Sequence, residues 1–239
     1  MLQNAVYWQI LPYNPADRVK PPKHERPQIK YYDDVQCKQL LEALENEEIK
    51  FQTIVILTLF TGMRRGEVLG LEWSDIDFEN GFVNITKSSQ YIADKGIFVK
   101  DPKTRSSIRK VGIPDIVINM LNKYKAWYDQ EKEKCGNLWV NSNRLFVTWN
   151  GKPMHPDTVT DWFRSFIEKN NLPKITFHGL RHTNATLLIG QQVDVATVSA
   201  RLGHAQITTT YNFYVHPLKS HDKKAGNVLE NLLVSNNVH

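Results

Sequence analysis

The sequence predicts an α+β chain, mostly helical, with one small antiparallel β-sheet. Three observations predict it. Apolar residues recur at helical spacing in several separate segments, period-two alternation is confined to two short stretches at 82–86 and 108–113, and a glycine or an asparagine closes most of the helical segments. With 239 residues, 41% apolar and 23% charged, the chain is long enough to bury a core and too apolar for a disordered polymer.

The elements follow in chain order. The opening A-V-Y-W-Q-I reads as the end of a helix, and the stretch from Arg18 to Lys30, with Pro21, Pro22 and Pro27, as a stiff basic linker. Residues 1–29 are therefore expected to be the end of a truncated upstream domain plus an interdomain linker. From Tyr32 a helix is expected, capped by Asp33 or Asp34, with Leu40, Leu41 and Leu44 on one face and an end near Asn46. Phe51 to Phe60 is apolar at seven of ten positions. That composition predicts a buried central helix closed by Thr61 and Gly62, with Arg64 just beyond it.

After Trp73 the character changes. Phe82, Asn84 and Thr86 alternate with Val83 and Ile85, and Ile108 to Ile113 gives a second extended run before Pro114, so the two should pair as strands. W-S-D-I-D, with Asp75 and Asp77, reads as a turn between helix and strand rather than a metal site. Helices are expected again from about Ile116 to Glu133 and along the stripe Val159, Trp162, Phe163, Phe166 and Ile167, stopped by Asn170, Asn171 and Pro173. Two more should run from about Phe177 to Ile189, and from an Asp194 cap to Leu202 with Gly203 as its stop and His204 at the turn. A tail helix carries Ala225, Val228, Leu229, Leu232 and Leu233 on one face.

Charge and cysteine content narrow the function classes. Thirty Lys and Arg against 25 Asp and Glu, with a pI near 9.1, suit a polyanionic partner. Cys37 and Cys135 stand far apart without a C-x-x-C, which argues for a reducing cytoplasm and against a disulfide framework. The longest apolar run, Ile54 to Leu57 followed by Leu59 and Phe60, is far below the roughly 18 residues that span a bilayer, so neither a membrane segment nor a signal peptide is expected.

Five short features carry the chemistry: T-G-M-R-R-G-E, P-K-T-R-S-S, H-G-L-R-H, L-G-H and Y-V-H. Breaking a DNA phosphodiester without a metal needs a nucleophile, cationic clamps on the non-bridging oxygens, and an acid for the departing 5′ oxygen. Arg64 and Arg181 suit the clamp, because a guanidinium makes two parallel hydrogen bonds to phosphate and keeps its charge. His178 and Arg181 stand three apart on one helical face, and His204 at its turn can donate to the same phosphate. Lys103 is placed in a loop before a strand as the acid, and a tyrosine as nucleophile needs the surrounding positive charge, since its phenol otherwise titrates near 10. His178 and His182 are four apart, but Gly179 stands where a zinc protease helix needs glutamate, so no metal and no cofactor are expected.

At these residues, over roughly 30 to 220, the sequence resembles the catalytic domain of tyrosine recombinases, the group of phage integrases, Xer-type resolvases and Cre. The family's T-G-x-R followed three residues later by glutamate matches Arg64 and Glu67, with Glu67 as an orienting residue. Its P-K-T-x-S-S matches Pro102 to Ser107 and assigns Lys103 over Lys100 or Lys110. Its H-x-x-R matches His178 and Arg181, its L-G-H matches Leu202 to His204, and its Y-x-H matches Tyr214 with His216. Tyr211 lies three residues before Tyr214; only Tyr214 is followed by x-His, which leaves Tyr211 as a packing residue and His182 as at most a supporting one.

The resemblance implies metal- and ATP-independent site-specific recombination through a 3′-phosphotyrosyl ester on Tyr214. The implied partners are double-stranded DNA attachment sites and further copies of the chain in a synaptic tetramer, joined through the C-terminal tail. Residues 30–217 would be the catalytic domain and 218–239 the tail helix. The alternatives are a type IB topoisomerase-like relaxing enzyme, and a DNA-binding regulator that no longer cleaves.

Overall fold

A computed structural model describes residues 1–20, 30–100 and 107–211. Its elements are α1 (Leu2–Tyr7), α2 (Asp34–Leu44), α3 (Ile49–Thr61), α4 (Arg65–Gly70), β1 (Ile76–Asp77), β2 (Phe82–Ile85), β3 (Ser88–Ile92), β4 (Gly96–Lys100), β5 (Arg109–Gly112), α5 (Asp115–Cys135), α6 (Pro156–Lys169), α7 (Phe177–Gly190) and α8 (Val195–Leu202). Helix dominates, as the sequence predicts. The expected tail helix lies outside the described residues.

The caps explain the helix boundaries. Asp33 accepts from the Gln36 N–H at 2.8 Å while the Gln36 side chain accepts from the Asp33 N–H at 3.1 Å, a reciprocal box that starts α2. Asp194 does the same work for α8 by accepting from Thr197. Gly62 and Gly203 end α3 and α8 in the left-handed conformation, at φ +66° and +70°.

Helix α3 is the hub. Its Ile54, Val55 and Leu57 are fully buried, and it packs against both α5 and α7. The entry to this body is pinned to α7: the Tyr32 N–H donates to Thr183 Oγ1 at 3.0 Å and the Tyr32 hydroxyl to the Pro173 carbonyl at 2.6 Å.

The expected small antiparallel sheet is present, and a second accompanies it. The three-stranded sheet has the order β1-β2-β5, with Val83 opposite Val111 and Ile85 opposite Arg109. Strands β3 and β4 form a separate hairpin closed by a turn ending at Gly96, φ +70°. That hairpin was not foreseen, because most of its residues are only partly buried or exposed and its sequence carries no inward-facing apolar row.

Helix α4 lies against β3 through Gly66 and Gly70. A Cβ on Gly66 would stand 2.5 Å from Ser88 Oγ and 2.8 Å from the Ser89 carbonyl, so only glycine allows this approach. The contact fixes Arg64, at the head of α4, relative to the hairpin. No helix among the described residues is long and apolar enough to cross a membrane.

Candidate active site

The site is assembled from the ends of helices. After Gly62 turns the chain out of α3, Arg64 adopts an extended conformation as the residue preceding α4. Glu67, one turn on, holds it twice: Oε2 accepts the Arg64 N–H at 2.9 Å and Oε1 accepts Arg64 Nη1 at 2.7 Å. Glu67 is buried, and on its other side the Arg109 guanidinium donates to Oε2 at 2.8 Å and Oε1 at 3.3 Å. Burial alone would push the Glu67 carboxyl up, but the hydrogen bond and charge of Arg109, then those of Arg64, outweigh it and hold the group below its ordinary range.

Helix α7 brings the second arginine. Thr176 caps it by accepting from the Gly179 N–H. His178 in the first turn is exposed, whereas Arg181, 2% exposed, reaches across to α3 and donates to the Gly62 carbonyl at 2.7 Å. Asn184, three residues further, donates to the Leu59 carbonyl at 2.8 Å. The carbonyls that α3 leaves unpaired at its C-terminus are thus used to dock α7, and the docking places the Arg181 guanidinium inside the T-G-M-R turn.

His204 completes the group. Its N–H donates to the Ser199 carbonyl at 3.1 Å, and its Nδ1 lies 2.7 Å from Thr210 Oγ1. Partial burial, then Arg181, Arg64, His182 and Arg109, push its pKa down to about 4. His178, though exposed at its surface, is lowered by the partial loss of water around its ring, then by Arg181 and Arg64, with Glu67 opposing. His182 packs edge-to-face on His178 at 4.9 Å and is pushed down to about 4 by burial, His178 and Arg181. Two guanidiniums and three imidazoles therefore feel one another at close quarters, surroundings that suit an anion.

Four of the six residues predicted to act, Arg64, His178, Arg181 and His204, are brought together with Glu67 beneath them. Lys103, Tyr214 and His216 lie outside the described residues. Tyr211 does not pack as expected: it is 52% exposed, because on the helical turn at 207–211 it is Thr210 that points inward beside His204, and the next residue turns away from it. Asp75 accepts the Glu72 N–H in a tight turn, as the W-S-D-I-D reading anticipates.

Sequence reading missed Arg109 and Arg201. Arg201 Nη2 donates to the Phe60 and Gly112 carbonyls at 2.7 and 3.0 Å. A cleft of about 390 Å³ opens beside Arg64, lined by Arg65, Ser88, Tyr91, His155 and Asp157 among others; Arg65 pairs there with Asp157 at 3.2 Å. Among the described residues, no three histidine, cysteine or acidic side chains are gathered closely enough to hold a metal ion.

The phage integrase family matches residues 30–221, four fifths of the sequence. The chain belongs to the phage integrase family. Within it, the chain is 30% identical over 236 residues to a XerC-like tyrosine recombinase of Caldanaerobacter subterraneus, covering 94% of this chain and 58% of that protein. It is 29% identical over 233 residues to the ICEBs1 integrase of Bacillus subtilis, covering 98% of this chain and 63% of that protein. This integrase-family chain therefore spans about three fifths of the length of these relatives. Among solved structures, the Tn1549 transposon integrase in complex with transposon right end DNA superimposes with a TM-score of 0.74 at 24% identity, over 92% of this chain and 75% of that one. The XerA recombinase does so with a TM-score of 0.65 at 23% identity, over 86% and 66%. At those identities the likeness establishes the shared fold.

Proposed function

We propose that this chain is the catalytic part of a tyrosine site-specific recombinase that cuts and rejoins double-stranded DNA through Tyr214. The phenol loses its proton to water as its oxygen attacks the scissile phosphorus, the bond to the 5′ oxygen breaks with that oxygen taking a proton, and a 3′-phosphotyrosyl ester and a free 5′-OH result. The same ester is then attacked by the 5′-OH of a partner strand, which restores the phosphodiester and the phenol. The bond energy stays in the ester, so no ATP is consumed.

The roles follow from the chemistry of each group. Arg64 and Arg181 clamp the non-bridging oxygens as charge grows on them, and Glu67 orients Arg64. His178 and His204 donate to the same phosphate. In the tautomer that carries its proton on Nε2, His204 accepts from the Thr210 hydroxyl at Nδ1 and keeps Nε2 as the donor to phosphate. Lys103 protonates the departing 5′ oxygen, and His216 supports the nucleophile. One clamp donor aimed at developing charge is worth about 3–4 kcal/mol.

The single observation that carries this reading is the Arg181 hydrogen bond to the Gly62 carbonyl, which joins the H-x-x-R and T-G-M-R motifs at one point. The family membership and the basic balance of the chain support it further. Residues 30–217 form the catalytic domain in this reading, with the linker before it and the tail at 218–239 after it. Attachment-site DNA is the substrate and a synaptic tetramer joined through the tails is the working assembly, in the cytoplasm at the nucleoid.

The test uses a nicked suicide substrate that traps the ester. Wild type should accumulate a covalent adduct, and Tyr214→Phe should bind the same duplex and form none. Adducts persisting in Tyr214→Phe would remove the nucleophile assignment.

A further inference from the structure

Arg109 holds at once the acidic support of Arg64, the turn leading to His204 and the carbonyl of Ser107, four residues after Lys103. It lies in β5 directly opposite Ile85 and shares its strand face with buried Val111. Its side chain is 6% exposed. Nη2 and Nη1 bind Glu67 as above, Nε donates to the Arg201 carbonyl at 2.7 Å, and Nη1 also reaches the Ser107 carbonyl at 3.2 Å. Arg201 stands three residues before His204, and Ser107 four residues after Lys103.

The glycine of L-G-H belongs to the same arrangement. A Cβ on Gly203 would stand 2.8 Å from Arg109 Nη1 and 3.1 Å from Cζ, so the turn that presents His204 lies against the guanidinium itself. The planar fork is required for this. An ammonium on a flexible stem cannot bind both carboxylate oxygens in one plane while its stem donates sideways to a carbonyl.

We propose that Arg109 is a positioning residue for strand cleavage, a buried strut that sets Arg64, through Glu67, and His204, through the Arg201–Gly203 turn, at the spacing of one phosphate. The proposal rests on the reading of function given above and adds a residue to it. Arg109 is buried and its guanidinium is committed to Glu67 and to the Arg201 and Ser107 carbonyls, so its loss acts on the rate at saturating DNA and leaves duplex affinity in place. A misplacement of about 1 Å at a reacting centre costs roughly 100-fold in rate.

The experiment is single-turnover cleavage of the suicide substrate at saturating DNA, together with duplex affinity and urea unfolding, for wild type, Arg109→Gln and Arg109→Lys. Folded Arg109→Gln is expected to cleave about 100-fold more slowly with affinity within about threefold of wild type. Arg109→Lys, which restores charge without the fork, should recover about tenfold of that loss. Should the glutamine variant fail to fold, the lysine variant decides alone: cleavage about tenfold below wild type supports the strut, and a wild-type rate overturns it. A folded Arg109→Gln that cleaves within threefold of wild type, or a rate loss matched by an equal loss of affinity, also overturns it. A wild-type chain that forms no adduct refutes the proposed function, and this assignment with it, before any variant is compared.

Discussion

Gly62→Ala tests how the turn after α3 positions the site. The residue sits at φ +66°, which costs an L side chain about 1–2 kcal/mol. The added methyl would stand 2.5 Å from Leu202 Cδ2 and 2.9 Å from Asn184 Oδ1. Neither neighbour can yield easily, since Leu202 is fully buried and Asn184 is tied to the Leu59 carbonyl. Overpacking of this kind costs about 1–3 kcal/mol, so the sum is about 2–5 kcal/mol. The Gly62 carbonyl also receives Arg181, so relief by moving the turn displaces the proposed clamp, at roughly 100-fold in rate for about 1 Å. Urea unfolding measures the first quantity and single-turnover cleavage at saturating DNA the second. Gly190→Ala, with nothing within 4 Å of its added Cβ, serves as the control and should fall within about 1 kcal/mol of wild type. A Gly62→Ala protein that loses less than 1 kcal/mol and cleaves normally would refute the reasoning.

Other outcomes follow from the same geometry. Asp33→Ala removes the cap of α2 far from the site; it should lower stability by about 0.5–2 kcal/mol in urea and leave adduct formation intact. Gly203→Ala must both accept φ +70° and displace Arg109, so its cleavage rate should fall by at least tenfold at saturating DNA, and an unchanged rate would count against the placement of the turn. Stability without DNA should fall with acid. His182 and His204 titrate near 4 when folded against about 6.5 when unfolded, so the unfolded chain binds protons first as pH drops through 6.5 and the loss is complete only below 4. The effect is roughly 2 kcal/mol or less per ring between pH 7 and 5, and Glu67, also depressed, adds its loss below its ordinary range near 4.5. Urea midpoints that stay flat from pH 7 to 5 would contradict the crowding of these rings.

The sequence was most readable where periodicity and caps agree. Helices α2, α3, α6, α7 and α8 fall within a few residues of their expected spans because Asp33, Gly62, Asn170, Thr176 and Asp194 mark their ends chemically. Helix α4 was hidden: it is six residues long, too short for a stripe, and its glycines face β3 instead of a core side chain. The motif residues were legible because each site motif is local in sequence. Arg109 was not, since its role lies in contacts to Glu67 and Arg201, 42 and 92 positions away. One signal did exist: the strand parity that buries Val111 also turns Arg109 inward, and a charge on an inward strand position demands a partner.

The most direct test of the central claim is the identity of the residue that holds DNA. Wild-type chain would be trapped on a suicide substrate, digested with trypsin, and the DNA-bearing peptide sequenced by mass spectrometry. The account predicts a single modified residue, Tyr214, carrying the 3′ phosphate, with a free 5′-OH on the released strand. DNA on Tyr211 or any other residue, or a 5′-linked adduct, would contradict it.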